Sequence, residues 1–246
     1  MGTVTASESP DAAQTRARSY TVLAAPGRAE SILEIRRSEF LGYAARVETE
    51  DQAREHIEAV RKAHRDARHV CTAFVLGADR EVQRSSDDGE PAGTAGIPML
   101  QALLAHRVPG EEAGGEERER ADLSDVCVAV VRYFGGIKLG AGGLVRAYTE
   151  SVVSALDAAL LARRSRMRRG SLALPHAEAG RLENELRAEG YAVLGADYAA
   201  EGAVLRLAVE DRPGALERAE LRVASMTSGR RELDWGGTDW IDLPLG

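Results

Sequence analysis

The segment that most constrains this chain lies between Val126 and Tyr148. An apolar, strand-like run, Val126 to Val131, passes into Arg132-Tyr133-Phe134-Gly135-Gly136-Ile137-Lys138-Leu139-Gly140-Ala141-Gly142-Gly143-Leu144-Val145-Arg146-Ala147-Tyr148 and then into helical periodicity. Glycine reaches backbone conformations closed to other residues and lets other groups approach closely. Five glycines in nine residues at a strand-to-helix junction therefore predict a sharp turn with open backbone. Helix N-termini attract anions, and Arg132, Lys138 and Arg146 flank this one. The pattern points to a nucleic-acid or phosphate contact made by Arg132, Gly135, Gly136, Lys138, Gly140, Gly142, Gly143 and Arg146. The competing reading is structural: the glycines let the helix pack on the sheet, with Tyr133 and Phe134 as core. A P-loop is disfavoured, because Gly-x4-Gly-Lys-Ser/Thr is absent and Lys138 precedes the later glycines.

A second block, Ser86-Asp87-Asp88-Gly89-Glu90-Pro91-Ala92-Gly93-Thr94-Ala95-Gly96-Ile97-Pro98, is turn-rich and acidic. Ser86, Asp87, Asp88 and Glu90 suit two roles. Their oxygens can hold Mg2+, or they can cap a helix and pair with Arg132, Lys138 or Arg146. The spacing is not that of an EF-hand loop. No catalytic residue, cofactor or definite metal-ligand set follows from the sequence. His69 and Cys71 share a strand face, yet Cys71 has no orienting partner, so a partly buried histidine bonded to a carbonyl is expected. Ser86 and Thr94 lack a G-x-S-x-G context. Trp235 and Trp240 are expected in core or edge-strand packing.

At 246 residues and 44% hydrophobic content, the chain can build one large or two small domains. No apolar run approaches the ~20 residues of a membrane span, and residues 1–19 lack the apolar core of a secretory signal. Cys71 and Cys127 are expected as buried free thiols in a reducing cytoplasm. The formal net charge of -7 argues against indiscriminate nucleic-acid binding. Residues 171–246 hold 14 acids and 8 Arg, whereas the first 170 residues hold 25 acids and 24 Lys plus Arg. A ribosome or RNA partner therefore belongs to the N-terminal part. The acidic C-terminal part suits a protein partner.

Periodicity predicts a tail without fixed structure over 1–26, a first domain over 27–166 and a second over 167–246. The first has strands at 31–37 and 39–47, a helix at 51–64 and strands at 70–76 and 81–84. A helix from Thr94 or Gly96 to Ala105, a strand at 125–134 and a helix at 144–161 complete it. Residues 108–121 read as an acidic surface insertion. Residues 162–170 read as a linker whose five Arg in seven positions either contact phosphate or form a solvated helix end. The remainder has the βαββαβ order of a small ferredoxin-like domain.

Together the two blocks resemble the YigZ/IMPACT family, which shows DDGEP-x-GTAG-x-P followed by RYFGG-x-KLG-x-GGL-x-RAY. Arg37-Ser38-Glu39-Phe40 is similar to its K-S-x-F element, with Arg for Lys, and Ala67-Arg68-His69-Val70-Cys71 is similar to A-x-H-x-C. The resemblance covers about 31–159, and the C-terminal region is similar to the second domain of the bacterial members. It implies an α+β protein whose first domain has the ribosomal-protein-S5 second-domain and translocation-factor fold. That fold also includes small-molecule kinases, an analogy at fold level only. The resemblance further implies a link to translation and its regulation; the bacterial members have no agreed reaction. Three readings follow. The chain is a translation-associated binding or regulatory protein contacting RNA, ribosome or a phosphate-bearing partner through the Gly-rich basic turn. Alternatively, it is a Mg-assisted enzyme on a phosphorylated small molecule, using Asp87, Asp88 or Glu90, or a regulator that binds only protein.

Overall fold

The computed structural model describes residues 15–108 and 119–245. The described residues divide into two compact units, one of residues 19–108, 119–164 and 242–245 and one of residues 15–18 and 165–241.

The first unit contains β1 (Ser19–Leu23), β2 (Arg28–Ile35), β3 (Ser38–Arg46), α1 (Glu50–Ala63), β4 (His69–Leu76), β5 (Val82–Ser86), α2 (Gly96–Ala105), β6 (Val126–Tyr133) and α3 (Gly140–Asp157). Five strands form an antiparallel sheet in the order β2-β3-β6-β4-β5. β6 is apolar without alternation because both its faces are covered. Val126, Val128 and Val130 pack with Met99 and Leu103 of α2 and with Tyr148 and Val152 of α3. Ala129 and Val131 pack on the opposite face with Val60 of α1. Thr49 caps α1 by accepting from the Gln52 amide at 3.2 Å, while the Gln52 side chain accepts from the Glu48 amide at 2.6 Å. That reciprocal arrangement fixes where the helix begins.

The second unit follows the order β7 (Leu161–Leu174), α4 (His176–Ala188), β8 (Ala192–Ala199), β9 (Gly202–Glu210), α5 (Pro213–Met226) and β10 (Asp234–Pro244). The unit boundary falls inside β7 and inside β10. β9 lies between β7 and β8, antiparallel to both, and β10 pairs with β7. Leu172, Leu205 and Val223 form one apolar cluster with Leu182 and Leu186 of α4. The molecule is therefore of the α+β class.

Four expectations are corrected. Residues 19–23, assigned to a structureless tail, form β1, in which Tyr20, Thr21, Val22 and Leu23 are buried; residues 1–14 of that tail lie outside the described residues. Residues 162–170, read as a linker, are strand. Their arginines are tolerated because carboxylates remote in sequence meet them. Arg163 pairs with Asp122 at 2.5 Å, Arg164 with Glu48 at 2.5 Å, Arg168 with Asp211 at 3.0 Å, and Arg169 with Asp239. α3 begins at Gly140 rather than 144, so the later glycines of the turn form its first helical turn. It ends at Asp157 rather than 161, because Leu161 already belongs to β7. Of the acidic insertion, residues 109–118 lie outside the described residues. Its flanks, Val108 and Arg120, exchange backbone hydrogen bonds of 2.8 and 2.9 Å.

Candidate functional site

The motif residues gather at one end of the first unit's sheet. Pairing of Glu39 with Tyr133, and of Phe40 and His69 with Arg132, brings three things together there. These are the β2–β3 turn, the start of β4 and the exit of β6. At the core of this end lies a buried polar knot. Arg132 Nη1 donates to Glu90 Oε1 at 2.6 Å, and the Tyr148 hydroxyl donates to the same oxygen at 2.9 Å. The side chains of Arg132 and Glu90 are 8% and 3% exposed. Glu90 thus joins the acidic block to both β6 and α3. Phe40 lies edge-on to Tyr148 at 5.3 Å, and the Arg132 guanidinium sits 5.5 Å from the Phe40 ring centre.

The acidic loop is engaged internally. Asp87 accepts from the amides of Gly93, Ala95 and Gly96 at 2.8, 2.9 and 2.8 Å, which anchors the start of α2. Burial raises its carboxyl, but these three amides outweigh that and hold it below its ordinary value. Asp88 sits at φ 43° and accepts from Arg61 at 2.9 Å and from the Val70 amide at 2.7 Å. Ser86 Oγ accepts from the Asp88 amide at 3.3 Å. His69 Nδ1 lies 2.8 Å from the Asp88 carbonyl, which can only accept, so that nitrogen carries the proton. The Cys71 thiol donates to the Asp87 carbonyl at 3.0 Å, and burial pushes its pKa up to about 12. Cys71 and Cys127 are both free. Among the described residues no group of three His, Cys, Asp or Glu is arranged to hold a metal ion. The carboxylate oxygens of Asp87 and Asp88 accept from backbone amides and Arg61, and Glu90 Oε1 accepts from Arg132 and Tyr148.

The Gly-rich segment divides into an inner and an outer part. Arg132 belongs to the knot and is not displayed. Gly135 is also inner. A Cβ there would lie 1.8 Å from the Arg37 carbonyl oxygen, and its amide donates to the buried Ser38 hydroxyl at 3.2 Å. A Cβ at Gly143 would stand 3.0 Å from Leu139. Gly136, Gly140 and Gly142 are outer, exposed, with nothing within 4 Å of an added Cβ. Gly136 and Gly140 need glycine for their φ of 87° and 71°, whereas Gly142 has no such need. No side chain caps α3, and its first residues, Gly140, Ala141 and Gly142, are exposed, at the end where a helix leaves amides without intrahelical partners.

The exposed cations are mostly ones that motif spacing did not single out. Lys138 and Arg146 are exposed and, among the described residues, have no hydrogen-bond or ion-pair partner. The same holds for Arg36 and Arg37, which form the two-residue β2–β3 turn at φ 47° and 67°. Lys62, Arg65 and Arg68, between the end of α1 and the start of β4, are likewise exposed and unpaired. Phe134 and Ile137 are exposed by 55% and 41%. The turn is pinned beside them. The Tyr133 hydroxyl donates to Asp66 at 3.0 Å and so accepts from His64 Nδ1 at 3.0 Å. In the neutral ring this leaves Nε2 to accept from Tyr43 at 2.8 Å. Elsewhere in this unit, a groove of 1310 Å³ is lined by Tyr43, His56, Val60, His64, Leu161 and Leu245. Trp235 donates to Glu220 at 2.7 Å.

These features define a two-unit α+β protein whose first unit closes two sequence blocks around one buried ion pair. Comparison with known proteins gives that class a family. The Impact N-terminal domain matches residues 36–112 and 115–156, and a domain of unknown function (DUF1949) matches residues 172–230. IMPACT family member YvyE of Bacillus subtilis is 41% identical over 69% of this chain and 70% of its own. IMPACT family member YigZ of Escherichia coli is 41% identical over 56% of this chain and 60% of its own. The chain belongs to the IMPACT family. A crystal structure described only as that of a hypothetical protein is similar at TM-score 0.53 and 32% identity, covering 88% of this chain and 96% of the other.

Proposed function

We propose that this protein is a translation-associated binding or regulatory protein whose first unit contacts ribosome or RNA through the Gly-rich end of its sheet. Family membership supports the translation link that the motif resemblance implies. One observation carries the surface: exposed cations that have no partner among the described residues lie on the segments meeting at this end of the sheet, together with an uncapped, glycine-built helix start. Such a surface suits a phosphate backbone, because cations and free amides together bind phosphate oxygens. Arg36 and Arg37 strengthen the reading. Left-handed φ costs ordinary residues roughly 1–2 kcal/mol each, and among the described residues neither guanidinium has a hydrogen-bond or ion-pair partner. The carboxylates that a Mg-assisted reaction would need are already engaged, so the binding reading stands ahead of the enzymatic one. The acidic second unit is left for a protein partner.

The test is co-sedimentation with ribosomes at low and moderate salt, comparing wild type with the Lys138→Glu/Arg146→Glu variant. Wild type binds in a salt-sensitive manner and the variant loses that binding, since each neutralised phosphate contributes to the salt slope. Equal sedimentation of the two proteins overturns this assignment of the surface.

A further inference from the structure

The residues just before the glycines form a layered column running from the core to solvent. Tyr148 meets Phe40 edge-on, the Arg132 guanidinium lies over Phe40 at 5.5 Å, and the same guanidinium lies over Phe134 at 5.6 Å. Each inner layer is buried, and the outermost, Phe134, is 55% exposed. Its position is fixed from both sides in sequence. Tyr133 is bonded to His64 and Asp66, and the Gly135 amide is bonded to Ser38. An aromatic ring held in place, backed by a cation and open to solvent, is a preformed stacking surface.

We propose that Phe134 is a stacking platform for an unpaired base of an RNA strand. The proposal rests on the reading that this turn contacts RNA, and it names the kind of RNA. Bases within a duplex are already stacked, whereas splayed bases of single strands and loops stack on aromatic side chains. Lys138 follows Phe134 by four residues and the Arg37 backbone abuts Gly135, so exposed cations lie on the same turn as the ring and on the hairpin packed against it, available to a phosphate backbone. A protein partner would use the exposed apolar area of Phe134 and Ile137 but would leave these cations without phosphates.

The experiment uses the full chain and a short oligouridine carrying one central 2-aminopurine, with a blunt RNA duplex of equal length as competitor. Wild type quenches the 2-aminopurine on binding and prefers the single strand. Phe134→Ala loses the quench and weakens binding by about 5- to 150-fold, the range for one stacked base, and Phe134→Trp restores both. Because Phe134 is exposed, unchanged thermal melts of the variants separate a binding defect from a folding one. Equal affinity of wild type and Phe134→Ala, or equal preference for duplex, overturns the platform while leaving the basic-turn reading in place. Binding to ribosomes without binding to the oligouridine overturns the platform in favour of a protein contact. Folded wild type that binds neither RNA nor ribosomes overturns both proposals.

Discussion

Single residues at the motif end act in opposite senses on stability, and the direction identifies their role. Gly135 is required by its neighbours, so Gly135→Ala is expected to destabilise by about 2–3 kcal/mol in denaturant melts as the new Cβ meets Arg37. Gly142 is required by nothing inside the chain. Gly142→Ala is expected to stabilise by about 0.5–1 kcal/mol, the helical advantage of alanine, while weakening ribosome binding. Improved stability with unchanged binding would remove Gly142 from the contact surface. Asp87 carries a pH signature. Its folded carboxyl is held below its ordinary value, so its stabilising effect is complete above about pH 4 and fades as pH falls through the folded value. Asp87→Ala is expected to cost about 1–2 kcal/mol at neutral pH. Melts across an acid series then show the gap between wild type and variant closing at low pH.

At the scale of elements, Glu90 and Arg132 tie loop, strand and helix together. Removing one partner of a buried pair leaves a charge without compensation, at about 3–5 kcal/mol, whereas replacing both with apolar residues costs far less. Glu90→Leu and Arg132→Met are therefore each expected to destabilise strongly, and the double variant by less than their sum. Additive losses in the double-mutant cycle would count against the pair. The same elements show what the sequence makes legible. β4, β6, α1, α2 and the order of the second unit follow from apolar periodicity and capping residues, each a local signal. β1 is missed because its residues from Tyr20 to Leu23 are all buried and so show no alternation. The 162–170 part of β7 is missed because its arginines look solvated until Asp122, Glu48 and Asp211 meet them from distant parts of the chain. The candidate site divides in the same way. The glycines and Lys138 mark the turn in the sequence. The inward role of Arg132 depends on a partner 42 residues away, which no local pattern carries. Arg37 is visible in the sequence as part of the K-S-x-F-like element, but that it stands with Arg36 at the hairpin tip follows only from the strand register.

For the molecule as a whole, charge is sorted by use rather than by amount. The net charge is -7, yet one end of the first unit's sheet displays cations without partners. The arginine-rich stretch of β7 pairs its charges inside the protein. Arg164→Ala is accordingly expected to lower stability by about 2–3 kcal/mol, because its side chain is 9% exposed beside Glu48. Ribosome co-sedimentation of that variant, measured below its melting range, is expected to match wild type. A lost salt dependence would instead make β7 part of the contact.

The hydrogen-bonded flanks at Val108 and Arg120 make this position a natural port for engineering. The chain is already closed there, with donor and acceptor exchanged across the opening, so extra length adds only the slowly growing entropy of a longer loop. A reporter domain or affinity tag placed between these flanks should leave the melting temperature nearly unchanged. It would allow the protein to be followed on ribosome gradients without altering either terminus.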